Sequence, residues 1–125
     1  MKLLVVDDEL DLCRMLTEHF EEHFRADVFM ATTPGEALRL LEEWKPEGML
    51  LDLNLRSRLS GFDVLARVKE ISPATKVIMV TSDNDFESVE KALELGAVDY
   101  ITKPFTVEYL EQMVDLKIAR HLMYA

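Results

Sequence analysis

The chain changes its hydrophobic period again and again. A short apolar run of strand length gives way to a longer stretch with apolar residues every three or four positions, five times over. Strands alternating with helical patterns, with no Ser/Gly-rich linker and no internal repeat, call for a parallel sheet covered by helices on both faces. The most informative run is GMLLDLNL, Gly48 to Leu55, in which apolar residues stop at an acid, Asp52. An apolar run bounded by turn residues reads as a strand buried on both faces. Asp52 then stands at the carboxyl end of its strand, where open α/β sheets bind their ligands.

In chain order, the first strand spans about Lys2 to Val6 and runs directly into Asp7 and Asp8. Leu10, Cys13, Thr17, Phe20 and Phe24 follow at three- and four-residue steps, as an amphipathic helix requires, with Glu9 and Asp11 where the helix dipole favours anions. Asp27 to Ala31 is a second strand. Thr33-Pro34-Gly35-Glu36 supplies an N-cap, a first-turn proline and a capping-box glutamate for a helix that carries Ala37, Leu38, Leu41 and Trp44 and ends near Pro46. After the third strand come a loop, Leu53 to Ser60, and a helix from about Phe62 to Ile71, stopped by Ser72-Pro73. Val77 to Val80 is a fourth strand ending at Thr81 and Ser82. Asp83-Asn84-Asp85 reads as a capping cluster for a fourth helix that closes at Gly96. Val98 to Ile101 is the fifth strand, Lys103-Pro104 turns the chain, and Thr106 caps a last helix running to about Leu122. With right-handed crossovers these elements make a three-layer, doubly wound (βα)5 sandwich, with residues 1–125 as one domain.

Every strand end on one edge of that sandwich carries a polar group: Asp7 and Asp8, Asp52, Thr81 and Lys103. Two like charges about 4 Å apart repel by roughly 4 kcal/mol at an effective dielectric near 20, so three converging carboxylates demand a cation. Oxygen-only ligands suit Mg²⁺ or Mn²⁺ rather than zinc. Such an ion and the Lys103 ammonium would together neutralise a phosphoryl group on Asp52, whose carboxylate can act as a nucleophile. Thr81 offers a hydroxyl and Ser82 a backbone N–H to the phosphoryl oxygens.

Charge and composition narrow the partners. A net charge of -10 repels nucleic-acid phosphates. The single cysteine, Cys13, forms no internal disulfide, and no apolar run approaches the roughly 20 residues that span a bilayer. With Met1-Lys2 leading straight into a strand, the expectation is a soluble protein of the cytoplasm.

The ordered set of VVDDE (Val5 to Glu9), LLDLNL (Leu50 to Leu55), SGFDVL (Ser60 to Leu65), VTSD (Val80 to Asp83) and GAVDYITKPF (Gly96 to Phe105) resembles the receiver domain of two-component response regulators, over essentially the whole chain. That resemblance implies the flavodoxin/CheY-like fold, a five-stranded parallel sheet of order 2-1-3-4-5. It implies that Asp52 is the phosphoacceptor for a sensor histidine kinase or phosphotransfer protein. It further implies that Asp8, Asp52 and the backbone carbonyl of Asn54 ligate Mg²⁺ (or Mn²⁺), with Asp7 acting through water, and that Lys103 pairs with the phosphoryl oxygens. The bond from Lys103 to Pro104 is commonly cis in the family, an isomer proline permits cheaply. Thr81 and Tyr100 correspond to the switch pair, which puts the output face on the fourth helix, fifth strand and fifth helix, with Glu87, Lys91, Tyr109 and Gln112 as exposed members. A downstream protein or domain would read that face, and a homodimer on phosphorylation is a further outcome. Asn54 and Asp83 match positions that tune dephosphorylation. Strand alternation puts Tyr100 on the side of Val98 and opposite Asp99 and Ile101.

The chain departs from the family at one loop and at Ser82, where the family mostly has a small residue. Four residues past the phosphoacceptor the family usually has proline; here stands Arg56, and the segment Arg56 to Ser60 is one residue longer, which reads as a loop insertion with solvated arginines, with kinase docking or phosphoryl contact as the alternative. His19 and His23, spaced i, i+4, read as a solvated helix face, Cys13 as core, and most of the seven methionines as core. Leu110, Val114 and Ile118 should face the sheet, leaving Met113, Leu116 and Met123 as a second stripe. The competing functions are a phosphorylation-independent scaffold, which would lack one of the acids or the lysine, and an aspartyl-nucleophile phosphatase, which needs an acid where Asn54 stands. A flavin-binding relative would need a hydroxyl- and glycine-rich loop where this chain has Asp7 and Asp8.

Overall fold

A computed structural model describes residues 1–82 and 86–123; Asp83 and the capping cluster it heads lie outside the described residues. The elements are β1 (Lys2–Val6), α1 (Leu10–Phe24), β2 (Asp27–Ala31), α2 (Pro34–Trp44), β3 (Gly48–Asp52), α3 (Gly61–Ile71), β4 (Lys76–Thr81), α4 (Phe86–Glu94) and β5 (Asp99–Thr102). A last helix, α5, joins Val107–Tyr109, Leu110–Val114, Asp115–Ile118 and Ala119–Met123, the second and fourth segments being wound one residue wider per turn. The five strands pair in parallel in the order β2-β1-β3-β4-β5. From β1 the chain leaves in one direction to β2 and in the other to β3, so the switch point lies between the ends of β1 and β3.

Period two along the strands divides the core. Leu4, Val6, Met49, Leu51, Val77 and Met79 face Ala37, Leu41, Val64, Leu65, Val68 and Ala92 of α2, α3 and α4. The alternate residues Leu3, Val5, Leu50, Ile78, Val80 and Ile101 face Cys13, Leu16 and Phe20 of α1 and Leu110, Val114 and Ile118 of α5. The inner strands β1, β3 and β4 are buried almost without interruption, since each face has its own helical layer. The caps predicted at Thr33 and Thr106 form, Thr33 accepting from Glu36 N–H and Thr106 from Tyr109 N–H. A further one starts α3: Ser60 and Asp63 close a reciprocal capping box. Gly96 ends α4 with φ +105°, the left-handed conformation expected of it.

Several expectations are corrected. On α1, Leu10 is 43 % exposed and Leu16 takes its place in the core, because the buried stripe begins one turn later, at Cys13. Trp44 is 39 % exposed and lies flat on Phe29, ring centroids 4.9 Å apart, as the edge of α2 overhangs the edge strand β2. Among the methionines only Met49 and Met79 are core, while Met15, Met113 and Met123 are exposed, since unbranched side chains suit surfaces as readily as interiors. β5 begins at Asp99 rather than Val98, and Val98 packs with Ile101 on the α1/α5 side, opposite Tyr100, because it precedes the regular pleat.

Candidate functional site

At the carboxyl edge, Asp7 continues β1 and Asp52 ends β3. Both lie on the parity of the α1/α5 face, and they are 2 % and 5 % exposed. The two are joined through one ammonium: Lys103 Nζ is 2.7 Å from Asp7 Oδ2 and 3.2 Å from Asp52 Oδ2, with Glu9 Oε1 at 3.9 Å. The Lys103–Pro104 peptide is cis, and the Lys103 N–H donates to the Thr81 carbonyl at 2.8 Å, tying this turn to the end of β4. Backbone donors complete the carboxylates: Glu9 N–H to Asp7 Oδ1 at 2.9 Å and Asn54 N–H to Asp52 Oδ1 at 3.1 Å. Asp8 completes a triad, and one carboxylate oxygen from each of Asp7, Asp8 and Asp52 lies within 4.8 Å of the others. Beneath them the Cys13 thiol donates to the Asp7 carbonyl at 3.3 Å, and burial pushes its pKa up to about 11.

Electrostatics follow from this crowding. Burial, with the Asp7 charge, lifts Asp52 from 3.8 to about 6 against the opposing pull of the Asn54 N–H and Lys103. Lys103 is raised as well, against its own burial: burial depresses it, but the hydrogen bond to Asp7 and the charges of Asp52 and Asp7 outweigh burial and lift it above its ordinary value.

The remaining predicted residues ring this centre. Asn54 and Ser82 join Asp8, Glu9, Asp52, Arg56 and Lys103 around a cleft of about 110 Å³. Thr81 is buried on the opposite parity and, with Leu53, Met79, Ser88, Val89, Ala92 and Tyr100, lines a void of only about 10 Å³. Tyr100 therefore flanks α4, while Lys117 of α5 reaches over its ring at 5.0 Å and donates to its carbonyl at 2.6 Å. Of the expected exposed members of the output face, Glu87, Lys91 and Gln112 are exposed. Tyr109 is half-buried, because its hydroxyl accepts from the Thr102 N–H at 3.0 Å and its ring stacks parallel to Phe105.

Two features were not read from the sequence. Arg56 is not simply solvated: its Nε sits 3.4 Å from Asp8 Oδ2, and its φ of +49° is a left-handed conformation. A proline, fixed near -65°, cannot adopt that backbone, so the lengthened loop and the loss of proline belong together. Gly61 is the other. An added Cβ there would stand 2.5 Å from the Asp52 carbonyl oxygen and 2.7 Å from Leu53 Cα, both backbone atoms. Gly61→Ala should therefore cost about 1–3 kcal/mol in urea unfolding, as overpacking does, by displacing the segment that carries Asp52.

A doubly wound sheet thus brings buried carboxylates and a lysine together at its switch point. The chain belongs to the response regulator receiver domain family, whose model matches residues 3–115. Among its relatives is sporulation initiation phosphotransferase F of Bacillus subtilis, 28 % identical over 113 residues and covered to 90 % in both chains. Another is a protein-glutamate methylesterase/protein-glutamine glutaminase of Geobacter sulfurreducens, 38 % identical over 105 residues; they take in 83 % of this chain but only 28 % of the relative's length. The receiver domain of NtrX from Brucella abortus superposes with a TM-score of 0.86 at 29 % identity, covering 98 % of this chain and 99 % of that one.

Proposed function

We propose that the chain is a phosphorylation-controlled switch in which Asp52 accepts a phosphoryl group from the phosphohistidine of a sensor kinase or phosphotransfer protein. The observation that carries this reading is a buried nucleophile, Asp52, with Lys103 Nζ 3.2 Å away and two more carboxylates within 4.8 Å. The donor set fits Mg²⁺ or Mn²⁺: three carboxylates, no nitrogen or sulfur, and two basic side chains, Lys103 and Arg56, already drawn to the same oxygens. Asp8, Asp52 and the Asn54 carbonyl would hold the ion, with Asp7 acting through water. Bound there, it supplies neutralising charge and orientation to the phosphoryl oxygens.

In the transfer, an Asp52 oxygen attacks phosphorus, the new O–P bond forms as the P–N bond to the donor imidazole breaks, and the imidazole leaves with the electron pair. Lys103 stands where it can swing from Asp52 to a phosphoryl oxygen without losing Asp7. Thr81 hydroxyl and Ser82 N–H are the remaining donors within the reading. A void of about 10 Å³ between Thr81 and Tyr100 is too small for a phenol ring, so Tyr100 turns inward only once Thr81 moves toward the phosphoryl group. That couples chemistry at Asp52 to the face formed by α4, β5 and α5. Such couplings are typically about 1–3 kcal/mol.

The partners are accordingly a phosphodonor protein and an output protein or attached domain, and the chain acts as a phosphoacceptor rather than a multi-turnover enzyme. Asn54 and Asp83 would set the rate of phosphoryl loss by positioning water. Incubation with acetyl phosphate and Mg²⁺ should add one phosphoryl mass on Asp52, and beryllofluoride should perturb Tyr100; absence of both with Mg²⁺ present refutes the reading. Arg56 competes for Asp8, so Arg56→Ala should tighten Mg²⁺ by about two- to five-fold, the value of an exposed pair, and the gain should shrink in high salt. Calorimetric titration with Mg²⁺ measures it.

A further inference from the structure

On the opposite side of the molecule from the Thr81–Tyr100 void, α1 and α5 lie side by side on one face of the sheet, and a second cluster of ligand-type side chains bridges them. His19 and His23 of α1 and Asp115 of α5 each bring one ligand atom within 4.8 Å of the other two. The sequence reading of a solvated histidine face holds for the exposed His23 and is corrected for His19. His19 Nε2 donates to Asp115 Oδ1 at 2.7 Å, and these side chains are only 10 % and 16 % exposed.

We propose that His19, His23 and Asp115 form a binding site for a divalent transition-metal ion of the zinc type, clamping α1 to α5. Three observations point to it. The two imidazoles lie with centroids 4.0 Å apart and planes 25° from parallel, close enough that a fanning of the rings turns their in-plane nitrogen lone pairs toward one ion. His23 Nδ1 is 2.9 Å from the His19 carbonyl oxygen, an atom that only accepts, so Nδ1 carries the proton and Nε2 keeps the lone pair a metal needs. A ligating histidine ordinarily has its second nitrogen fixed in this manner. Third, the chemistry is complementary to that of the acidic pocket: two nitrogens and one carboxylate suit zinc with water in the fourth position, whereas Mg²⁺ prefers oxygen alone.

The geometry demands little movement. Tetrahedral bonds of about 2.0–2.1 Å put ligand atoms about 3.3 Å apart. The His19–Asp115 contact must open from 2.7 Å, and the widest separation must close from at most 4.8 Å. His23 is exposed at the helix surface, where small torsional changes that keep its Nδ1 bond to the His19 carbonyl make that adjustment. His19 would exchange its Nε2 proton for one on Nδ1 through solvent. The ion would then tie α1 to α5, a helix that also carries Lys117 against Tyr100.

Chelator-treated protein titrated with Zn²⁺ in the presence of saturating Mg²⁺ tests the site. One ion should bind per chain and raise the unfolding temperature. His23→Gln removes a ligand yet leaves the His19–Asp115 contact, so it should weaken Zn²⁺ by at least about ten-fold with the metal-free unfolding temperature unchanged. Asp115→Asn should weaken Zn²⁺ likewise, and Asp8→Asn should not. No saturable Zn²⁺ binding, equal affinity in the His23→Gln protein, or loss of binding in Asp8→Asn alone would each overturn the proposal.

Discussion

The Asp52→Asn protein should take up no phosphoryl group from acetyl phosphate and should unfold at a higher temperature than the native chain. Both effects have one origin. Holding Asp52 ionised in a buried site beside Asp7 raises its pKa from 3.8 to about 6, which corresponds to up to about 3 kcal/mol of stability forgone at neutral pH. An amide of the same shape has no charge to desolvate, and for a domain of this size the gain is on the order of 10 °C. The sign with pH is specific. An acid whose folded-state pKa is raised binds its proton more tightly in the native state, so native stability falls as pH rises from about 4 to 6 and is level above. The two proteins should be equally stable near pH 4, and the gap should open between there and pH 7 in urea titrations. A gap of the opposite sign would mean that Asp52 is stabilised by its ion pair more than it is harmed by burial. Mg²⁺ should then narrow the gap by stabilising only the chain that retains the carboxylate.

Lys103→Met should act in the reverse direction, with loss of about 3–5 kcal/mol, the usual cost of removing one partner from a buried ionic pair. Lys103 contacts both Asp7 and Asp52, and without it two buried carboxylates face each other with no ammonium between them. Three measurements separate this charge effect from lost packing. The deficit should shrink at pH 5, where Asp52 takes up a proton; it should shrink with Mg²⁺; and Asp52→Asn added to Lys103→Met should restore stability beyond the sum of the single changes. If the double variant is merely additive, the lysine is a packing element and the site is held by its backbone. In either single variant the acetyl phosphate reaction tells which group is the acceptor and which the helper, since on the proposed function only Asp52→Asn removes the accepting atom.

Asp7, Asp52 and Thr81 at this edge were legible because each terminates an apolar run. Val6 before Asp7, Leu51 before Asp52 and Val80 before Thr81 mark where a buried strand meets solvent, and a parallel sheet aligns those points on one side. Cap chemistry at Thr33 and Thr106 was equally local and correct. What stayed hidden needed knowledge of which surfaces meet. His19 and Asp115 are 96 positions apart; helical periodicity gives the side of α1 that is apolar, but not that α5 borders its polar shoulder. The same limit applies to Tyr109, whose hydroxyl finds the Thr102 N–H only after the chain has turned at Pro104. Arg56 escaped for another reason, since nothing in a long polar side chain announces a left-handed backbone.

That last residue constrains how the loop can change over generations. With φ at +49°, replacing Arg56 by the proline expected from the family resemblance would insert a ring where the backbone has the wrong sense of twist. Shortening the segment first would strand a long cationic side chain over Asp8. Neither single step leads smoothly to the common version, so length and residue must be inherited as a pair, and sister sequences should show both changes or neither.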